Sequence, residues 1–167
     1  MSGAATTMHS PIESFLRKTI YFWALAGGGV LAAVVAVNVW AVVGGLIGLP
    51  FAGDFELTEM GVAIAAFMFL PYCQLADQNV TADIFTSKLS PAVQRRFSTI
   101  GSVLALGFAA LLLWRMYFGM LDQKSYSLAS TILQVPVWWV YLPALASLAL
   151  LFVAAALSLR DNWTGSN

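Results

Sequence analysis

Few residues of this chain could do chemistry, and the most conspicuous are two acids and one arginine beside apolar segments. Glu56 and Glu59 open one apolar run, and Arg115 lies near the end of another. If the two runs form antiparallel helices, Glu59 and Arg115 lie at similar depth, each about 6–8 Å inside its helix end. This predicts either a structural ion pair between the helices, or contact of Arg115 with lipid phosphate while Glu59 caps its helix.

Residue types needed for redox, metal or nucleophilic chemistry are almost absent. His9 is the only histidine and lies in the N-terminal tail, and Cys73 is the only cysteine. A b-type haem needs axial ligands inside a helical bundle, and thiol exchange needs a reactive cysteine with a partner. No glycine-rich phosphate loop is present. We therefore predict no catalytic residue, no metal site and no cofactor.

Composition indicates the environment of the whole chain. Of its 167 residues, 60% are hydrophobic and 10% charged, with a mean hydropathy of +0.81. Soluble domains carry about 25% charged residues. The chain is therefore predicted to be an all-α integral membrane protein with a single domain over residues 1–167. Its formal net charge of zero gives no electrostatic reason to bind nucleic acid.

The apolar segments predict a four-helix membrane bundle. The first segment is too long for the apolar part of a cleavable signal peptide, so we expect an uncleaved first helix. Short interfacial helices are expected before the first span, where Ser10 and Pro11 predict a helix start, and over Val80–Leu89 in the polar loop 77–96. The predicted spans are residues 20–49, 55–76, 97–120 and 137–159.

Basic residues predict the orientation. One side of the membrane receives Lys124, and also Arg115 if its side chain extends outward. The other side receives Arg17, Lys18, Lys88, Arg95, Arg96 and Arg160. Because basic loops stay in the cytoplasm, both termini are expected there.

Three further polar residues are candidates for contacts. Asn38 lies inside the first span, where an amide side chain normally faces protein; an interhelix hydrogen bond is favoured over a substrate contact. Asn79 and Asp83 lie four residues apart in the polar loop and can share one face of a helix. They could contact a partner protein, or they could be solvated with Asn79 as a helix cap.

Three short segments resemble the small membrane subunit of tripartite ATP-independent periplasmic (TRAP) transporters, the DctQ-like family. The first is the acidic helix start FELTE at 55–59. The second is NVTAD at 79–83, which is similar to the family's His-hydrophobic-x-hydrophobic-Asp element, with Asn79 in place of His. The third is LQVPVWWVYLP at 133–143, which is similar to a hydrophobic-x-Ile-Pro-x-Trp segment before the last span.

The resemblance implies a function that depends on partners. It implies a non-catalytic subunit in a bacterial inner membrane that scaffolds a large sodium-coupled transport subunit. It also implies help in docking a periplasmic binding protein that delivers a small organic acid. Glu56, Asn79 and Asp83 are the matching positions for partner contact or loop structure, and the lipid bilayer is the remaining partner.

An enzyme is the alternative from another functional class. A small four-helix membrane enzyme of the glutathione-transferring type would need a cationic pocket to stabilise a thiolate. The basic residues of this chain are few and scattered along one predicted membrane face. The transport subunit is therefore favoured.

Overall fold

The computed structural model contains four long helices. It describes residues 11–49, 51–86 and 91–164, and side chains within 13–49, 51–76 and 99–160. The helices are α1 (Pro11–Leu46), α2 (Asp54–Thr86), α3 (Pro91–Ser125) and α4 (Trp138–Thr164). The predicted all-α class is confirmed.

All four helices contain a segment long and apolar enough to cross a membrane. These segments are Glu13–Leu46, Asp54–Ala76, Thr99–Ser125 and Trp138–Arg160. About 20 helical residues cross the hydrocarbon, so each segment suffices. The first has 34 residues and at 1.5 Å per residue measures about 51 Å. It must therefore tilt or extend beyond the hydrocarbon.

The ends of α1 follow from local chemistry. Pro11 is its first residue, as the sequence predicts, because the first helical position needs no backbone N–H. At the other end Gly48 has φ +78°, and the N–H of Leu49 donates to the Gly44 carbonyl at 2.7 Å. This is the hydrogen bond of a Schellman cap, which turns the chain sharply towards α2.

Within the described residues, the segments predicted as interfacial helices are continuous with longer helices. The segment from Pro11 is continuous with the first membrane span. The segment starting at Val80 continues α2 without a break as far as Thr86, and the remainder of Val80–Leu89 lies outside the described residues. Residues 77–86 contain no glycine or proline. Polarity alone does not end a helix, so α2 continues past the apolar span.

The order of the helices in space differs from their order in the chain. α2 packs against α1 and α4, and α3 packs almost entirely against α4, with few contacts to α2. The spatial order is therefore α1, α2, α4, α3. Helices α2 and α4 form the centre, and α1 and α3 lie at the two sides.

Two glycines allow α1 and α2 to approach closely. A Cβ atom at Gly27 would lie 2.8 Å from the Met68 Cβ, and one at Gly61 would overlap Val34. Real Cβ atoms do not come this close, so the contact requires glycine at both positions. Small residues serve the same purpose at many membrane-helix interfaces.

Candidate functional site: the loop held by Glu56

The loop between α3 and α4, residues 126–137, folds as a compact hairpin. Ser130 N–H donates to the Val135 carbonyl at 2.9 Å, and Val137 N–H donates to the Leu128 carbonyl at 3.0 Å. The Ser130 hydroxyl accepts a further bond from the Val135 N–H at 3.2 Å. Gln134, with φ 54°, turns the chain between these bonds. We call residues 126–137 the α3–α4 loop.

Glu56 holds the tip of this loop against the start of α2. One carboxylate oxygen, Oε1, accepts the N–H of Ile132 at 2.7 Å, and Oε2 accepts the N–H of Leu133 at 2.9 Å. Two successive N–H groups thus converge on one carboxylate. Hydrogen bonds to an ionised group are about twice as strong as neutral ones. This contact joins parts of the chain that are 76 residues apart in sequence.

A glycine forms the seat beneath the same tip. Gly53 immediately precedes α2 with φ +126°, and a Cβ there would lie 2.7 Å from Leu133 Cγ. The Leu133 side chain therefore rests on the bare backbone of Gly53. Glu56 fixes the backbone of the tip, and Gly53 makes room for its side chain.

Large apolar side chains surround the fixed loop. Phe55 is 84% exposed and Tyr126 is 74% exposed. The Lys124 ammonium lies over the Trp138 ring, 5.3 Å from its centroid. We call the exposed apolar side chains at this end the apolar rim: Leu46, Ile47, Leu49, Phe55, Tyr126, Leu128, Ile132 and Trp139. Chemically, the rim suits contact with another apolar surface.

In the part of the chain that the structure describes, no three His, Cys, Asp or Glu residues lie close enough to hold a metal ion. The carboxylate of Glu56 is already occupied by backbone N–H groups. The contacts of Glu56 can hold the α3–α4 loop in a fixed conformation.

Glu59 and Arg115 are not brought together. Both side chains are described and exposed, and no ion pair joins them. They lie on α2 and α3, which have few mutual contacts. Their positions in the sequence predict a similar depth, but they do not predict the directions of the two side chains around their helices. Contact of Arg115 with lipid stays a prediction.

Asn38 joins α1 to α2. Its amide Nδ2 donates to the Thr58 hydroxyl at 2.6 Å and to the Val34 carbonyl at 2.9 Å. This is the interhelix hydrogen bond that the sequence favours. Thr58 therefore accepts a hydrogen bond from a neighbouring helix.

Replacing Asn38 with alanine is expected to lower the free energy of unfolding by about 1 kcal/mol, the usual value for such a bond in membranes. Thr58→Val removes the other partner. If the hydrogen bond is the main interaction, the double variant loses clearly less than the sum of the single losses. Unfolding by denaturant in micelles measures all three. Strictly additive losses would contradict a direct bond.

At the opposite end of the bundle, the first turn of α1 meets the end of α4. Arg160 and Glu13 form an ion pair with Nη1 and Oε1 at 2.8 Å, and Glu13 is only 5% exposed. Arg17 is half-buried and Lys18 exposed. The remaining predicted sites, Asn79, Asp83, Lys88, Arg95 and Arg96, have side chains outside the described residues.

The amino-acid sequence of the chain matches the model of a known protein family. A family model described as the DctQ component of tripartite ATP-independent periplasmic transporters matches residues 34–165. The chain belongs to the DctQ family. No match was found among curated proteins or among solved structures. Together with its four apolar helices, membership makes the chain a multi-pass membrane subunit of a TRAP transporter.

The matched region of this DctQ subunit contains the whole α3–α4 loop and its anchor. Glu56, Gly53 and Leu133 all lie within residues 34–165. The sequence points to Glu56 and to the segment from Leu133 separately, but not to the contact between them. Gly53 and the backbone of Ile132 were not predicted as parts of the site. A glycine directly before an acidic helix start was the only local signal.

Proposed function

We propose that this DctQ subunit is a fixed, non-catalytic scaffold for the large membrane subunit of a TRAP transporter. The large subunit carries a small organic acid inward with sodium, and a periplasmic binding protein delivers that solute. The DctQ subunit supplies a stable bundle beside the moving one, and its α3–α4 loop helps to dock the binding protein. Membership in the DctQ family supports the assignment to this transporter class.

The bidentate hold of Glu56 on the loop is the observation that carries the scaffold proposal. A loop that only connects two helices has no need of a carboxylate anchor and a glycine seat. Here both are present, and together they present the apolar rim on a rigid support. Preorganisation lowers the entropy lost when a partner binds. The loop is therefore suited to recognition.

The proposed orientation places the loop in the periplasm. The basic residues predict that both termini are cytoplasmic, which places the helix ends around Leu46, Asp54, Ser125 and Trp138 on the periplasmic side. The binding protein is periplasmic, so the α3–α4 loop is the part of this subunit positioned to meet it. The membrane is then the inner membrane of a bacterium with a periplasm.

On the cytoplasmic side, Asp83 and Asn79 are proposed to contact the large subunit. For Glu56, the contacts favour the loop-structure alternative over direct contact with a partner. Its oxygens bind the chain's own loop, so it supports a docking surface rather than touching the partner itself.

Proteoliposome uptake tests the proposal. We expect the chain to co-purify with the large subunit of its transporter, and sodium-driven solute uptake to require the large subunit, the binding protein and this chain. The expected loss on omitting the chain is nearly complete, because an unsupported large subunit lacks part of its scaffold. Uptake that is unchanged without this chain would refute the scaffold role.

A sodium ionophore provides the control for coupling, since it removes the gradient without altering any protein contact. The chain reconstituted alone should transport nothing. Transport by the chain alone would show that the role assigned here is wrong.

A further inference from the structure

A groove lies on the outer surface of α1 near its start. Its volume is about 440 Å³, within the range typical of small-molecule sites. It is lined by Phe15, Lys18, Thr19, Phe22 and Trp23. These residues recur at helical spacing along about 12 Å of one helix face. Three aromatic rings and one ammonium group therefore share a single open depression.

The wall of the groove is held in place. Trp23 Nε1 donates to the Ser147 hydroxyl of α4 at 2.9 Å, and that hydroxyl donates to the Pro143 carbonyl at 2.7 Å. Ile20, on the neighbouring face of α1, is completely buried in the bundle. The Trp23 ring cannot swing freely, so this part of the groove is formed before anything binds.

The rise per residue along α1 gives the distance of the groove from the end of the bundle at which Glu13 pairs with Arg160. The Glu13–Arg160 ion pair joins the ends of α1 and α4. Lys18 lies five residues further along α1, about 7.5 Å along the axis, and Phe22 and Trp23 lie deeper. The side chain of a lysine at this depth reaches outward to the headgroups while its methylene groups cover apolar surface.

We propose that this groove binds one anionic phospholipid. The phosphate pairs with the ammonium of Lys18, and an acyl chain lies over Phe22 and Trp23. Charge complementarity selects this occupant. The described lining contains one cation and no carboxylate, and the nearby Glu13 carboxylate is paired with Arg160. Residues 15–23 precede the region that the family model matches.

Native mass spectrometry of the full chain tests the proposal, with phosphatidylglycerol and phosphatidylcholine as probes of matched acyl chains. We expect the wild type to retain phosphatidylglycerol preferentially. Lys18→Gln is expected to reduce that preference about fivefold, the contribution of one basic residue near an anionic surface. Lys124→Gln is the matched control, because it removes another exposed cation at the opposite end of the bundle, and it should leave the preference unchanged.

Two further variants separate charge from shape. Lys18→Arg keeps the cation and should keep the preference. Phe22→Ala removes an apolar wall and should weaken retention of both lipids. Equal retention of the two lipids by the wild type would overturn the proposal, and so would a preference that survives Lys18→Gln.

A photoreactive group on the acyl chain identifies where the lipid binds on the protein. Phosphatidylglycerol carrying it should label the peptide with residues 18–23, and excess inorganic phosphate should not compete. Labelling confined to other helices would overturn the assignment. Competition by inorganic phosphate would reassign the site to a free anion. Position 22 can also be crosslinked in native membranes. A crosslink to a second protein, instead of to lipid, would show that the groove binds a protein partner and would also refute the proposal.

Discussion

Replacing Glu56 with glutamine is expected to release the α3–α4 loop while leaving the four helices intact. The amide keeps one acceptor oxygen, and its NH₂ group faces an N–H that needs an acceptor. One of the two bonds to Ile132 and Leu133 is therefore lost, and the other loses its charge assistance. Amide hydrogen exchange in residues 126–137 should accelerate by roughly an order of magnitude. Solute uptake with the binding protein should fall in parallel.

Glu59→Gln is the matched control for this experiment. Glu59 lies one turn further along the same helix, and its exposed carboxylate makes no hydrogen bond or ion pair in the structure. The substitution removes the same charge from nearly the same place. Exchange in the loop should therefore stay at the wild-type rate. If both variants loosen the loop equally, the effect comes from net charge near the helix start, and Glu56 has no specific role.

Replacing Gly27 with leucine is expected to lower the free energy of unfolding by about 2–3 kcal/mol, as for a strongly overpacked core. Even the Cβ atom would lie 2.8 Å from Met68 Cβ, and the rest of the leucine side chain would force α1 away from α2. The Asn38–Thr58 hydrogen bond spans the same two helices and would lengthen with it. Denaturant unfolding in micelles, followed by circular dichroism, measures the loss.

Gly29→Leu controls for the change in helix propensity. Gly29 is exposed two residues away on the same helix, and a Cβ there meets nothing within 4 Å. Both substitutions gain the same intrinsic propensity, so their difference reports the contact with α2. The Gly29 variant should stay within about 0.5 kcal/mol of the wild type or gain stability. Equal losses at the two positions would contradict the close packing of α1 on α2.

Much of the fold could be predicted because its causes are local. Lipid requires about 20 apolar residues in a helix, so each span appears directly in the sequence. Pro11 predicts a helix start because proline fits the first position. The extension of α2 to Thr86 was missed because polar composition was read as the end of the helix. A polar helix can continue into water when no glycine or proline interrupts it.

The candidate site was only partly predictable. Glu56 was recognisable as an acid at a helix start, but its ligands are backbone N–H groups, which nearly every residue offers. No side-chain pattern therefore points to Ile132 and Leu133. For Glu59 and Arg115, complementary charges at equal predicted depth left an ion pair as one of two alternatives, and the structure shows no ion pair between these two side chains. Depth can be inferred from a sequence, whereas the neighbours of a helix depend on the whole bundle.

The position of α4 between α2 and α3 has a consequence for how the protein is made. Ribosomes deliver the helices in numerical order, so α3 enters the bilayer while the surface it needs has not yet been synthesised. Until α4 is synthesised, the face of α3 that packs against α4 must contact lipid or the insertion machinery instead. Termination of translation between Ser125 and Trp138 would leave α1 paired with α2, and α3 without the helix it packs against.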